Sequence, residues 1–315
     1  MFDTVIMDEA GQCNIATALI PITKAKSLVL VGDPRQLRPV IVLDDSVNET
    51  LMNEFNISDN YNYKKNSILD VMLFNDKISK NILLSYHYRC GRKIIRFSNQ
   101  RYYNNELNLS HLKNDGKIEI LDVKNQNVKY RNEAYDEASA VVNYIKRNDI
   151  HNVSIITPFI NQKDLLNRML KREKIDDVQC GTIHSLQGAE KDTIIFSLAI
   201  SEKTRKRTYE WINNNYELIN VAVTRAKKKL IIAADTDVVR RFSNQEDDLG
   251  TLIKYVRNNG NIVVPPNESI RVEIGRSNGS RAEDEFFVTI SHFCTCYHEY
   301  EVKRNVKLSD LFGNK

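Results

Sequence analysis

Short, continuously apolar runs alternate along the chain with longer amphipathic stretches. The runs at residues 2–7, 28–31, 82–84, 117–121, 153–157, 193–198 and 229–233 predict strands, and residues 133–146 and 162–171 carry helical spacing between them. Strands that are apolar throughout, with no alternation, are those buried on both faces, so the pattern predicts an α/β protein with mainly parallel sheets. The Asn-rich residues 48–66 read as an insertion or flexible loop, and the Asn, Pro and Gly clustered over 258–280 read as a linker. No internal repeat is visible.

Composition narrows the class. At about 150 residues per domain, 315 residues make roughly two domains. The 45 Lys and Arg against 41 Asp and Glu leave a net charge of +4, too mild for a wholesale polyanion binder. A nucleic-acid partner must then be gripped by a local patch. The five Cys, at 13, 90, 180, 294 and 296, form no even-numbered disulfide framework, which points to a reducing, cytoplasmic setting. No apolar run approaches the ~20 residues that span a bilayer. The opening Met1-Phe2-Asp3 lacks the basic n-region of a signal peptide, so membrane and secreted classes are set aside.

Two segments carry the first chemistry. Val5-Ile6-Met7-Asp8-Glu9-Ala10-Gly11-Gln12 is an apolar strand ending in adjacent carboxylates, delivered to the carboxyl edge of a sheet, where open α/β folds bind ligands. Asp8 can hold a Mg²⁺ ion while Glu9 orients and deprotonates a water. Leu28-Val29-Leu30-Val31-Gly32-Asp33-Pro34-Arg35-Gln36-Leu37-Arg38-Pro39 runs a second strand into a polar turn that places Gln36 at the same edge. The Gln36 amide can donate to a phosphate oxygen and accept from water.

These segments resemble motifs II and III of superfamily 1 helicases, and further motifs follow in order over residues 2–234. Leu84-Ser85-Tyr86-His87-Tyr88-Arg89, with Phe97-Ser98-Asn99 and Tyr102-Tyr103, is similar to motif IV and its helix. Ile156-Thr157-Pro158-Phe159 with Gln162 resembles the entry to the second motor domain's nucleic-acid face. Gly181-Thr182-Ile183-His184-Ser185-Leu186-Gln187-Gly188-Ala189-Glu190-Lys191-Asp192 is similar to motif V, and Asn220-Val221-Ala222-Val223-Thr224-Arg225-Ala226-Lys227 to motif VI. The nearest branch resembles the 5′→3′ helicases of nonsense-mediated decay and Okazaki-fragment processing.

The resemblance implies RecA-like P-loop NTPase motor domains with parallel sheets, the first incomplete, and a short α/β C-terminal stub. Residues 1–80 would be the end of the first motor domain, 81–257 the second, 258–280 the linker and 281–315 the start of an accessory module. It implies ATP and Mg²⁺ as cofactors and single-stranded DNA or RNA as partner. Asp8 would hold Mg²⁺, Glu9 would be the base, and Gln12 and Gln36 would face the nucleotide. Arg89 and Arg225 would be the arginines that meet the γ-phosphate, with Gln187 and Glu190 linking the nucleotide cleft to the strand. Thr157, Pro158, Thr182 and His184 would touch the nucleic-acid backbone.

Lys203–Arg207 and the run at 227–229 read as solvated basic faces, and Trp211 as a packing residue. His292, Cys294, Cys296 and His298 alternate as potential metal ligands, although structural zinc sites generally use wider spacing. Residues 281–312 resemble the opening helix and strand of PD-(D/E)XK nuclease modules, with Glu283 or Glu285 at the helix-acid position.

The family's first motif, G-x-x-x-x-G-K-[ST], is absent: the only Gly-Lys is Gly116-Lys117, and position 111 is His. The expectation is therefore a motor fragment whose P-loop half is supplied in cis or in trans. The alternatives are a non-catalytic nucleic-acid-binding or regulatory remnant, and a helicase-nuclease of a DNA defence or restriction system.

Overall fold

The computed structural model describes residues 1–128, 132–186, 190–244 and 247–265. The possible metal ligands at 292–298 and the nuclease-like segment lie outside these residues, as does Gln187. Among the described residues no helix is long and apolar enough to cross a membrane, and no cluster of metal-ligating side chains occurs.

The first lobe is small. β1 (Phe2–Met7) and β2 (Ala25–Leu30) pair in parallel with Ile6 opposite Val29. Between them runs α1 (Ile15–Ile22), capped by the Asn14 side chain accepting from Thr17 N–H at 2.9 Å. α3 (Ile68–Asn75) opens on a Ser67/Asp70 capping box, which satisfies two otherwise orphaned groups of its first turn. Residues 48–66 are not a featureless loop. They contain most of α2 (Asp45–Glu54), started by Asp44 accepting from Ser46 N–H, and a short 3₁₀ turn at Asp59–Tyr61. Ala10, Ala18, Ile68 and Leu69 form the lobe's core on one face of the strand pair. The other face, including Ile6 and Val29, stands in solvent, where parallel sheets are ordinarily covered.

The predicted strand at 82–84 does not form: no described strand pairs with it, and Ile82, Leu83 and Leu84 are exposed. Three apolar residues without a neighbouring edge have nothing to take their backbone groups.

The second lobe is a six-stranded, all-parallel sheet of order β5-β4-β6-β7-β3-β8. Its strands are β3 (Lys117–Asp122), β4 (Val153–Thr157), β5 (Gln179–Thr182), β6 (Lys191–Ser197), β7 (Ala226–Ala234) and β8 (Asn261–Val263). The central register places Ile195 opposite Ile231 and Phe196 opposite Ile232. Alternate residues of these strands feed two cores. One packs under α4 (Arg92–Tyr102), α7 (Lys206–Asn214), α8 (Tyr216–Thr224) and α10 (Asp248–Asn259). The other packs under α5 (Tyr135–Arg147) and α6 (Ile160–Arg172). Each fully buried Ile or Phe stabilises by roughly 1.5–3 kcal/mol, so this doubly covered sheet is the rigid part of the molecule. β8, within the stretch read as linker, pairs with β3 as an edge strand, so ordered structure continues to at least Val263.

Because every strand is parallel, the sheet has two chemically distinct edges. Lys117, Lys191 and Ala226 begin strands at the opening edge, whereas Thr157, Thr182 and Ser197 end them at the carboxyl edge.

Candidate active site

The first contribution is the turn after β1. Glu9 takes a left-handed conformation (φ 51°), and its N–H donates to Asp8 Oδ1 at 2.8 Å. A non-glycine residue there costs of order 1 kcal/mol, and the turn is held because Ala10 N–H donates to Val31 O at 2.9 Å. A Cβ on Gly32 would lie 2.9 Å from the nitrogen of Gly11, so only glycine lets the two loops touch. Gln12 Nε2 donates to Glu9 Oε2 at 2.9 Å, which orients the expected base. Asp8 is exposed, and its second oxygen has no hydrogen-bond partner among the described residues, which suits a hydrated Mg²⁺.

Gln36 does not project freely. Its Nε2 donates to Asp33 Oδ2 at 2.9 Å, and the neighbouring Leu37 is buried in the core of the second lobe. The turn at 33–38 thus belongs physically to both lobes.

The second contribution comes from the opening edge of the large sheet. Arg89 precedes α4, Glu190 precedes β6 and Arg225 caps the end of α8. Arg89 Nε forms an ion pair with Glu190 Oε1, and Lys227 Nζ lies 3.3 Å from Glu190 Oε2. Burial, reinforced by Arg89, holds the Arg225 guanidinium below its ordinary pKa, while Glu190 and Glu9 oppose the shift. Arg225 therefore feels Glu9 of the first lobe as well as Arg89 and Glu190 of the second. Its Nε is buried without a hydrogen-bond partner. Two arginines placed against each other, one with an orphaned donor, fit a multiply charged anion such as a triphosphate.

The Arg89 loop is pinned tightly. Cys90 N–H donates to His87 Nε2 at 2.9 Å, Cys90 Sγ donates to Thr224 O at 3.1 Å, and Gly91 N–H donates to Lys227 O at 2.8 Å. Burial first, then Arg89, pushes His87 down to about 4, so its ring is a neutral acceptor at neutral pH. A Cβ on Gly91 would lie 2.4 Å from Gly116 Cα, which makes Gly91 obligatory at this edge. A cleft of about 310 Å³ beside it is lined by Tyr88, Arg89, Cys90, His111, Lys113 and Lys227. Tyr88 packs on His111 with ring centroids 4.5 Å apart. Sequence reasoning gave no role to Tyr88 or Lys227, although each lies within two residues of an expected arginine.

The expected nucleic-acid contacts divide. Thr157 is fully buried (0% exposed), with Oγ1 accepting from Phe159 N–H at 3.4 Å, and so is no surface contact. β4 lies between β5 and β6, and α6 folds back three residues later, closing over the strand end. Gln162 is likewise buried: its Oε1 accepts from Ala134 N–H at 2.8 Å and its Nε2 donates to Ser197 Oγ at 3.0 Å. Pro158 and Thr182 remain partly exposed and His184 exposed, all following or ending β4 and β5 at the carboxyl edge. Thr182 Oγ1 is engaged with Ser185. Thr182 ends β5 at the carboxyl edge, and Glu190 precedes β6 at the opening edge. The run at 227–229 is not simply solvated. Lys228 pairs with Asp192 at 2.9 Å and Lys229 with Glu119 at 2.9 Å. Trp211 is half exposed on α7.

Residues 65–237, more than half of the chain, match a family described as AAA domain, and residues 1–43 match a second family of the same description. An uncharacterized ATP-dependent helicase of Methanocaldococcus jannaschii is 26% identical over 81% of this chain and 39% of its own length. DNA polymerase alpha-associated DNA helicase A of Saccharomyces cerevisiae is 25% identical over 78% of this chain and 40% of its own. The chain thus spans about two fifths of these relatives. A solved PRRSV helicase covers 91% of this chain and 49% of its own at 15% identity, with a TM-score of 0.41. By the two family matches and the ATP-dependent helicases among its relatives, the chain belongs to the AAA domain family, among the superfamily 1 helicases.

Proposed function

We propose that these residues form part of an ATP-driven motor that moves on single-stranded DNA or RNA. The observation that carries the reading is the Arg89–Glu190 ion pair beside Arg225, on a lobe tied to the one carrying Glu9 by Asn220 donating to Arg35 O and Tyr103 donating to Asp33 Oδ2. Phosphoryl transfer is catalysed mainly by positioning and charge stabilisation, and this is the equipment for it. Glu9, oriented by Gln12, takes the proton of the attacking water. Arg89 exchanges its Glu190 partner for phosphate oxygens, and Arg225 supplies its unpaired Nε. Asp8 would hold Mg²⁺, which neutralises phosphate charge when bound.

The chain contains no G-x-x-x-x-G-K-[ST] sequence, so the phosphate cradle must come from a segment in cis or in trans. The nucleic-acid strand would follow Pro158, Thr182 and His184, and the branch resemblance implies 5′→3′ movement. Closure of the lobes on ATP would then shift that edge along the strand.

The test is ATP hydrolysis by the chain joined to a P-loop-bearing segment, with and without single-stranded DNA or RNA. Hydrolysis stimulated by the strand is expected. Glu9→Gln should lower kcat by roughly 10²–10⁴-fold, and Arg225→Ala by roughly 10³-fold or more. Strand binding without hydrolysis in the wild type would leave the non-catalytic reading, which the missing P-loop sequence favours.

A further inference from the structure

We infer that Tyr103 and Asn220 are positioning residues that hold Gln36 in register with the two elements carrying Arg89 and Arg225. Asn220 Nδ2 uses both hydrogens, donating across the lobes to Arg35 O at 2.8 Å and within its own lobe to Tyr103 Oη at 3.1 Å. Tyr103 Oη donates to Asp33 Oδ2 at 2.6 Å, and the same oxygen accepts Gln36 Nε2 at 2.9 Å. Asp33 Oδ1 accepts Arg35 N–H at 2.8 Å. An amide nitrogen can only donate to the hydroxyl, so the hydroxyl proton must point to Asp33. The order Asn220→Tyr103→Asp33←Gln36 is thereby fixed.

The two anchors are not arbitrary points on the second lobe. Tyr103 directly follows α4, whose opposite end carries the Arg89 loop about 16 Å away at 1.5 Å per residue. Asn220 lies about 7.5 Å along α8 from the Arg225 cap by the same measure. The helices are locked together by Tyr102 stacking on Tyr216, with centroids 5.5 Å apart. A shift of either arginine-bearing helix therefore reaches Asp33, and through it the amide of Gln36. Arg38 Nε, 3.6 Å from Glu217 Oε1, ties the far side of the same turn to the start of α8. Asn220 is fully buried (0% exposed) and its Oδ1 has no partner. A leucine would fill that space without an orphaned acceptor, so the amide is retained for where it points.

The structural part of this inference stands on the geometry alone, and its kinetic part rests on the ATPase reading above. The test takes Tyr103→Phe and Asn220→Ala in the 315-residue chain and follows amide exchange by mass spectrometry. Exchange at residues 34–38 should rise about tenfold in both variants while β6 and β7 stay protected, which reports that the fold is intact. Unchanged exchange at 34–38 overturns the inference. In the chain joined to a P-loop segment, Tyr103→Phe should lower kcat about tenfold at unchanged KM, as expected when an interaction matters only in the transition state. Faster exchange with unaltered kcat also overturns it. If the wild type hydrolyses no ATP, the functional reading falls, and the exchange result alone decides whether the latch exists.

Discussion

Glu137 offers a quantitative test of what holds the carboxyl edge of the large sheet. The side chain lies on α5 with 0% exposure. One oxygen accepts from Ser197 Oγ at 2.6 Å and Ala199 N–H at 2.9 Å, and the other from Asn125 Nδ2 at 3.0 Å. Burial outweighs these three donors and pushes the carboxyl up to about 7, against about 4.3 in an unfolded chain. A raised folded pKa means the native state holds a proton the unfolded state has lost. This contribution is therefore fully present below about pH 4.3 and is lost as pH rises through about 7. Between pH 5 and pH 8 the loss is about 3 kcal/mol, at 1.36 kcal/mol per unit.

Glu137→Gln cannot titrate and presents an N–H₂ to one of the donors. It should be less stable than wild type at pH 5, and the gap should shrink by about 3 kcal/mol by pH 8. Urea unfolding followed by Trp211 is the assay, since the only Trp of the chain sits on α7 of this lobe. Asp235, also raised by burial, repels Glu137, so part of the pH-dependent difference belongs to the pair. A gap that stays constant refutes the raised pKa. A gap that widens with pH shows that the three donors outweigh burial.

Two further outcomes follow from burial. Leu37 is 2% exposed in the core of the second lobe although it belongs to the turn after β2. Leu37→Ala should cost about 2–5 kcal/mol and raise amide exchange at 33–38, as thermal unfolding and exchange would show. Burial pushes the Cys90 and Cys180 thiols up to about 12 and raises Cys13 by less; Cys90 is buried, and Cys13 and Cys180 are partly buried. Iodoacetamide at pH 8 should label Cys13 well before Cys90 and Cys180, with peptide mapping as the readout. Early loss of the Cys90 thiol would contradict its seal beneath Thr224.

The legibility of the sequence differed sharply between lobes, and the reason is physical. Strands β3, β4, β6 and β7 were visible because a sheet covered on both faces demands apolar residues at every position, a local property. β5, Gln179-Cys180-Gly181-Thr182, carries no such run: it is an edge strand, and its register is supplied by β4. Between the two sheets the apolar run at 82–84 had the right composition and no partner edge, so composition misled. The Asn-rich segment misled in the opposite sense, because Asp44 supplies a helix start and tertiary contacts sustain residues of modest helix propensity.

The same distinction governs the site. Asp8, Glu9, Arg89, Glu190 and Arg225 could be proposed from the sequence because their chemistry is written in residue type and motif order. Thr157, expected on the nucleic-acid face, is buried instead, because a motif says nothing about which side of a sheet end a side chain takes. Thr157 is sealed by α6, and Gln162 bonds to Ala134 and Ser197 inside the same buried network that holds Glu137. That network and the Asp33–Tyr103–Asn220 chain are the parts no local pattern could show, since each joins residues more than sixty positions apart. Both also connect the sheet's edges to the segments expected to meet ligand. On the proposed reading the motif residues act only if these buried polar links keep them in place, so the variants at Glu137, Tyr103 and Asn220 test that reading as directly as those at Glu9 and Arg225.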